Sequence, residues 1–229
     1  MTAERVFDLS THTVRELNQA LHDVAGGTPS RFKVVNAMGD HALAVGIDAA
    51  VQVEIHGHVG YYCAGMNKHA VVTVHGNAAT GLAENIMSGC VRVKGNASQS
   101  AAATGRGGLV VIEGDASARC GISMKGVDIV VHGSVGHMSA FMAQKGRLVV
   151  CGDAGAALGD SIYEAELYVR GKLADLGADC EEKEMTAEHR ASLGILLREA
   201  AVDLDPGEFR RFGSARRLYH FNIDHADAY

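Results

Sequence analysis

Seven glycines recur at a fixed interval of 19 residues: Gly57, Gly76, Gly95, Gly114, Gly133, Gly152 and Gly171. Each closes a phrase of the same kind, from "VEIHG" and "VTVHG" through "VRVKG", "VVIEG", "IVVHG" and "LVVCG" to "LYVRG". No insertion breaks the period, so one structural unit is repeated along the chain.

The columns around the glycine define that unit. Two positions before it stand Ile55, Val74, Val93, Ile112, Val131, Val150 and Val169, and four before it stand Val53, Val72, Val91, Val110, Ile129, Leu148 and Leu167. Two after it come Val59, Ala78, Ala97, Ala116, Val135, Ala154 and Leu173. This period-2 alternation of β-branched residues is a strand with one buried face. Seven after the glycine every residue is tiny (Ala64, Ala83, Ala102, Gly121, Ala140, Gly159 and Ala178), which predicts a corner where backbone meets backbone. Asn77, Asn96, Asp115 and Asp153 follow the glycine directly, as turns and side-chain ladders favour.

A single 19-residue unit cannot bury its apolar face, and stacking identical coils solves that. The fold class predicted is an all-β solenoid, a right-handed parallel β-helix of about seven coils. At about 4.8 Å per coil the rod is roughly 30 Å long. A left-handed hexapeptide helix would show an aliphatic residue every sixth position, and no such echo occurs. The predicted organisation is an N-terminal helix and strand cap over 1–50, the β-helix over 51–178, and a C-terminal helical extension and tail over 179–229. In the cap, "THTVRELNQALHDVAGG" reads as a helix with Val14, Leu17, Leu21 and Val24 on one face and Gly26 and Gly27 as its stop, while "RFKVVN" and "HALAVGI" read as strands. In the extension, "TAEHRASLGILLREAAV" reads as a helix capped by Thr186, and Asp205-Pro206-Gly207-Glu208 as the start of a second one. The tail mixes Arg210, Arg211, Arg216 and Arg217 with Phe209, Phe212, Tyr219 and Phe221, a pattern suited to packing along the helix or onto a partner.

Composition narrows the function classes. The chain has 229 residues, 28 of them Gly and only 2 Pro, and carries a net charge of −6. That charge gives no general pull toward nucleic acid or an anionic membrane. No run of 18 apolar residues occurs, and "MTAERVFDLSTHTVREL" lacks the apolar core of a secretion signal. Five widely spaced cysteines (Cys63, Cys90, Cys120, Cys151 and Cys180) without a CxxC read as reduced thiols, so a cytoplasmic location is expected.

Motifs for chemistry are sparse. There is no P-loop and no GxSxG. His132 and His137 form an HxxxxH pair, and His56 and His75 sit on neighbouring rows that could stack near a stray metal. The row holding His56, His75, Lys94, Glu113, His132, Cys151 and Arg170 reads as an outward polar surface, so no metal ligand is assigned. Cys63 and Cys120 share an interior column and read as small core residues, and no acid/base pair assembles from the columns. Catalytic, cofactor and metal residues are therefore predicted to be none. One outward column is informative: Glu54, Thr73 and Arg92 are polar, but Val111, Val130 and Val149 follow them. Outward valines on three successive coils need a cover. Either the C-terminal helix or another protein supplies it, and all three are expected to be buried.

A glycine-rich β-helix with "GDA" turns and the "MSGC" corner at 87–90 resembles the C-terminal domain of the glutamate synthase large subunit and the β-helix subunit of formylmethanofuran dehydrogenase. The segments "GHVGYYCAGMNKHAVVTVHGNAATGLAENIMSG", "GNASQSAAATGRGGLVVIEGDASARCGISMKG" and "SVGHMSAFMAQKGRLVVCGDAGAALGDSIYEAELYVRG", with the "FRRFGSARRLYHF" tail, are similar to the stand-alone β-helix subunit of N-methylglutamate synthase. The resemblance implies a non-catalytic scaffold. Its partners would be a glutamine-amidotransferase-like subunit and a synthase-like subunit carrying FMN and an iron–sulfur cluster, with no cofactor on this chain. The complex would convert methylamine and L-glutamate to N-methyl-L-glutamate and ammonia. Two other readings are a trimeric β-helix enzyme of the carbonic-anhydrase or acyltransferase type, against which the 19-residue period argues, and a scaffold like the one in formylmethanofuran dehydrogenase.

Overall fold

Alternating β-branched residues ahead of each glycine produce one strand per coil, and the strands pair with their copies one period away. The structure, a computed structural model, describes residues 4–24 and 30–216. Its strands are β1 (Glu4–Asp8), β2 (Ser30–Met38), β3 (Val51–His58), β4 (Val71–His75), β5 (Cys90–Val93), β6 (Leu109–Ile112), β7 (Lys125–Val131), β8 (Lys145–Val150), β9 (Glu166–Val169), β10 (Cys180–Lys183) and β11 (Arg210–Ser214). Helix α1 (Val14–His22) follows β1, and helix α2 (Ala187–Glu199) follows β10. All strands belong to one sheet in the order β1-β2-β3-β4-β5-β6-β7-β8-β9-β11-β10. From β3 to β9 every pair is parallel, and Val53, Val72, Val91, Val110, Ile129, Leu148 and Leu167 lie side by side. The fold is a parallel β-solenoid, and among the described residues no helix is long and apolar enough to cross a membrane.

The seven glycines line one edge. Each amide from Gly95 to Gly171 donates to the carbonyl of the glycine one coil below at 2.8–3.0 Å. Beside them runs a polar ladder. Asn77 Oδ1 accepts from the Asn96 amide, Asn96 Oδ1 from Asp115, Asp115 Oδ1 from Ser134, Ser134 Oγ from Asp153, and Asp153 Oδ1 from Lys172, all within 2.7–2.9 Å. This explains the period at Gly114: a Cβ there would collide with Asn96 Oδ1 and the Gly95 carbonyl. The column two after the glycine makes a second line of parallel bridges from Val59 to Leu173. The tiny-residue column turns the corner in the left-handed region, with φ of 54° at Ala64, 54° at Ala83 and 57° at Ala140. Tyr62 and Met66 share that backbone conformation on the exposed side of the coil, so the complete burial of Ala64, Ala83, Ala102 and Ala140 is what keeps this column small.

The ends depart from the sequence expectations. Coil stacking begins with β2, because Phe32 pairs with Val53 and Ala37 with Gly57. The stretch "HALAVGI" is a corner rather than a strand, with Ala42 and Ala44 both at φ 56°. The Leu43 carbonyl accepts from the Ala64 amide as the Cys63 carbonyl does from Ala83 one coil on. Helix α1 starts at a Thr13–Glu16 capping box and stops at Asp23, while Gly26 and Gly27 lie outside the described residues. Its Leu17, Ala20 and Leu21 pack into the N-terminal end of the core. At the other end Asp205 starts no α-helix among the described residues. Residues Pro206–Glu208 form one 3-10 turn, and the chain then returns as β11, antiparallel to both β9 and β10. The strand closes the last coil with Phe212 in the main core, and Arg210 packs over the Phe212 ring. Arg217, Tyr219 and Phe221 lie outside the described residues.

Candidate functional site

The flat face of the sheet holds the most organised surface. Residues three before each glycine point outward on it, and the structure places Val111, Val130, Val149 and Tyr168 of this column in one fully buried cluster. Helix α2 covers them with Leu193, Leu196, Leu197 and its C-cap residue Ala200, joined by Cys151 and Phe209. Those helical positions follow an i, i+3, i+4, i+7 spacing, the stripe that faces a core. The C-terminal helix is therefore the cover, and the cluster is separate from the coil interior.

Polar clasps fix the helix at both ends. Thr186 caps it by accepting from the His189 amide, and the His189 ring returns a contact to Thr186. Glu166 receives His189 at 3.3 Å, Arg211 at 3.2 Å and the Tyr168 hydroxyl at 2.8 Å. Burial and the Glu166 contact hold the Tyr168 hydroxyl well above the usual phenol range. Midway, Arg147 grips Asp128 with two nitrogens and donates to Ser192 Oγ at 2.8 Å. At the far end Arg92 donates to the Ala200 carbonyl at 3.1 Å and to Glu113 at 3.0 Å. A cation at a helix C-terminus also meets the negative end of the helix dipole.

Among the described residues the histidines do not form a centre. His132 is not the solvent-facing residue its row predicts: it lies beside Ala200 at the end of α2, and its Nε2 is buried without a hydrogen-bond partner. Burial lowers its pKa, so the neutral ring is the resident form. Cys151 in the same row is buried for the same reason. His137 is exposed on another part of its coil. His56 and His75 do stack, with ring centroids 4.5 Å apart, and His75 Nε2 lies 2.5 Å from Glu54 Oε2. Among the described residues no group of three or more His, Cys, Asp and Glu is arranged to hold a metal ion.

The thiols are poorly disposed to react. Burial pushes Cys63, Cys120 and Cys180 up to about 12 and Cys151 to about 11. A nucleophilic cysteine needs the opposite shift. Where β9, β10 and β11 meet there is an open cleft of about 530 Å³ lined by Glu164, Glu166, Lys183, Arg211 and Arg216. Sequence reasoning missed this cleft, because β11 was not legible as a strand.

Fold and surface define a class: a stacked-coil β-solenoid with one helix-clasped face, whose polar side chains hold structure together. No family model matches the chain. It is 62% identical over 226 residues to Protein GlxC of Rhizobium meliloti (strain 1021), covering 98% of this chain and 99% of that protein. The chain belongs to the GlxC family.

Proposed function

We propose that this chain is the structural, non-catalytic subunit of a glutamate-synthase-like complex of the N-methylglutamate synthase type. It holds a glutamine-amidotransferase-like subunit and a synthase-like subunit with FMN and an iron–sulfur cluster at a fixed separation. Ammonia or an imine then passes between their sites while the assembly converts methylamine and L-glutamate to N-methyl-L-glutamate and ammonia. A solenoid suits the task because every coil is bonded to its neighbours along the whole rod, which resists bending.

The observation that carries the reading is the full-length similarity to GlxC taken with the glutamate-synthase-like segments of the repeat. The raised thiols and the structural use of Glu166, Arg147 and Arg92 support a scaffold, since the groups that resemble catalysts are engaged in clasping α2. The test is to purify the tagged chain from a cell that makes its natural partners. Two larger proteins, one of them flavin-coloured, are expected to co-elute, and the assembly is expected to turn over glutamate with methylamine faster than with ammonia. Turnover by the isolated chain contradicts the reading.

A further inference from the structure

One column of the solenoid carries charge that the fold leaves uncompensated. Arg106, Lys125 and Lys145 occupy successive coils and all three are exposed. Lys125 and Lys145 are register partners in β7 and β8. Arg106 precedes Leu109 by three residues as Lys125 precedes Asp128, the register partner of Leu109, and the Lys125 amide donates to the Gly105 carbonyl at 2.7 Å. With strands about 4.8 Å apart, three cations stand in a row about 10 Å long. Like charges directly opposite one another destabilise a sheet. Among the described residues none of the three has a carboxylate within ion-pair distance. Asp128 is taken by Arg147, and Glu164, one coil beyond Lys145, makes no ion pair with any described residue. Two other cations of the solenoid are paired: Lys68 meets Asp48 at 2.9 Å and Lys94 meets Glu113 at 2.7 Å. The overall charge is −6, so the ridge is not a by-product of a basic protein.

Apolar side chains border the same ridge. Met87 stands one coil before Arg106 and is 39% exposed, and Met142, on the coil of Lys145, is 37% exposed. Arginine and methionine are both enriched where proteins meet. We propose that this ridge, formed by Met87, Arg106, Lys125, Met142, Gln144 and Lys145, docks an acidic surface of a partner protein. The inference rests on the scaffold reading for the existence of a partner and adds which side meets it and with what charge. Nucleic acid fits less well, because none of the six residues is an aromatic platform for bases.

The test titrates the full chain with a fluorescent octaglutamate peptide at low ionic strength. Binding that weakens with added salt is expected, with at least a tenfold loss in R106Q/K125Q/K145Q. A control that neutralises three scattered exposed cations, R15Q/K172Q/R190Q, is expected to stay within about twofold of wild type. The ridge variant is expected to keep its far-UV circular dichroism and to melt no lower than wild type, since it removes repulsion. Equal binding by wild type and ridge variant overturns the proposal, as does tighter binding of a single-stranded octanucleotide than of octaglutamate. In the purified assembly, R106E/K125E/K145E is expected to release one partner, and an assembly that keeps both also overturns it. Should wild type assemble with nothing, the scaffold reading fails while the octaglutamate result still judges the ridge.

Discussion

The outward face of the sheet divides into two halves that share one parallel strand pairing. Across β3 to β5 its outward column reads Glu54, Thr73 and Arg92, partly exposed and polar. Across β6 to β9 the same column reads Val111, Val130, Val149 and Tyr168, fully buried under α2. Along this column every strand pair keeps the 19-residue register in both halves; the one shift, between Lys125 and Asp128 in β7 and β8, lies ahead of it. Only the outward residues differ, so side-chain chemistry alone decides where the helix lies. Length agrees: a 13-residue helix is about 20 Å long, and four strand spacings from β9 to β5 make about 19 Å. The helix therefore runs out where the valines do, at Arg92, whose guanidinium closes its C-terminus.

Substitutions in matched positions would break this comparison if it is wrong. The largest effect is expected for Val130→Asp, which buries an unpaired carboxylate beneath α2 and should cost about 3–5 kcal/mol in chemical denaturation. The matched Thr73→Asp, on the open half, should stay within about 0.5 kcal/mol. Next in size is Gly114→Ala on the glycine edge, where the added Cβ meets Asn96 Oδ1 and the Gly95 carbonyl. A loss of about 1–3 kcal/mol is expected for that overpacking. Removing the α2 cap with Thr186→Ala should cost about 1 kcal/mol and loosen the covered half alone.

The smallest effect is a pH dependence confined to the covered half. His132 has its folded pKa lowered from 6.5, by burial first. The unfolded chain then binds a proton more readily, so the contribution is fully present above pH 6.5 and is lost as pH falls below it toward the folded value. In His132→Asn that part of the pH dependence should vanish from Tm measured between pH 7 and pH 5. His56 and His75 offer the comparison on the open half, and replacing them should leave the slope assigned to His132 in place.

Most of the solenoid was legible because a strict period leaves a mark at every copy. Glycine, its apolar neighbours and the Asn/Asp ladder all repeat at 19 residues, and the valine run located the cover before any helix was placed on it. What escaped notice broke the period. The first coil is offset by a bulge at Asn36, with φ 60°, and Ala37 stands where later coils carry glycine. Strand β11 spans only Arg210–Ser214 and pairs antiparallel, so it repeats no unit of the 19-residue period. The cationic ridge was hidden for a related reason. A register shift in β7 and β8 puts Lys145 opposite Lys125 at a spacing of 20 instead of 19. The row containing His132 and Cys151 was misread because burial there comes from a helix far along the sequence.

Native-state hydrogen exchange tests the division of the face most directly. If α2 is the native cover of the valine stripe, the amides of Leu193, Leu196 and Leu197 should exchange in the isolated chain as slowly as the non-terminal amides of β7 and β8. Fast exchange along α2 beside a protected solenoid would contradict this, and would assign the stripe to another protein.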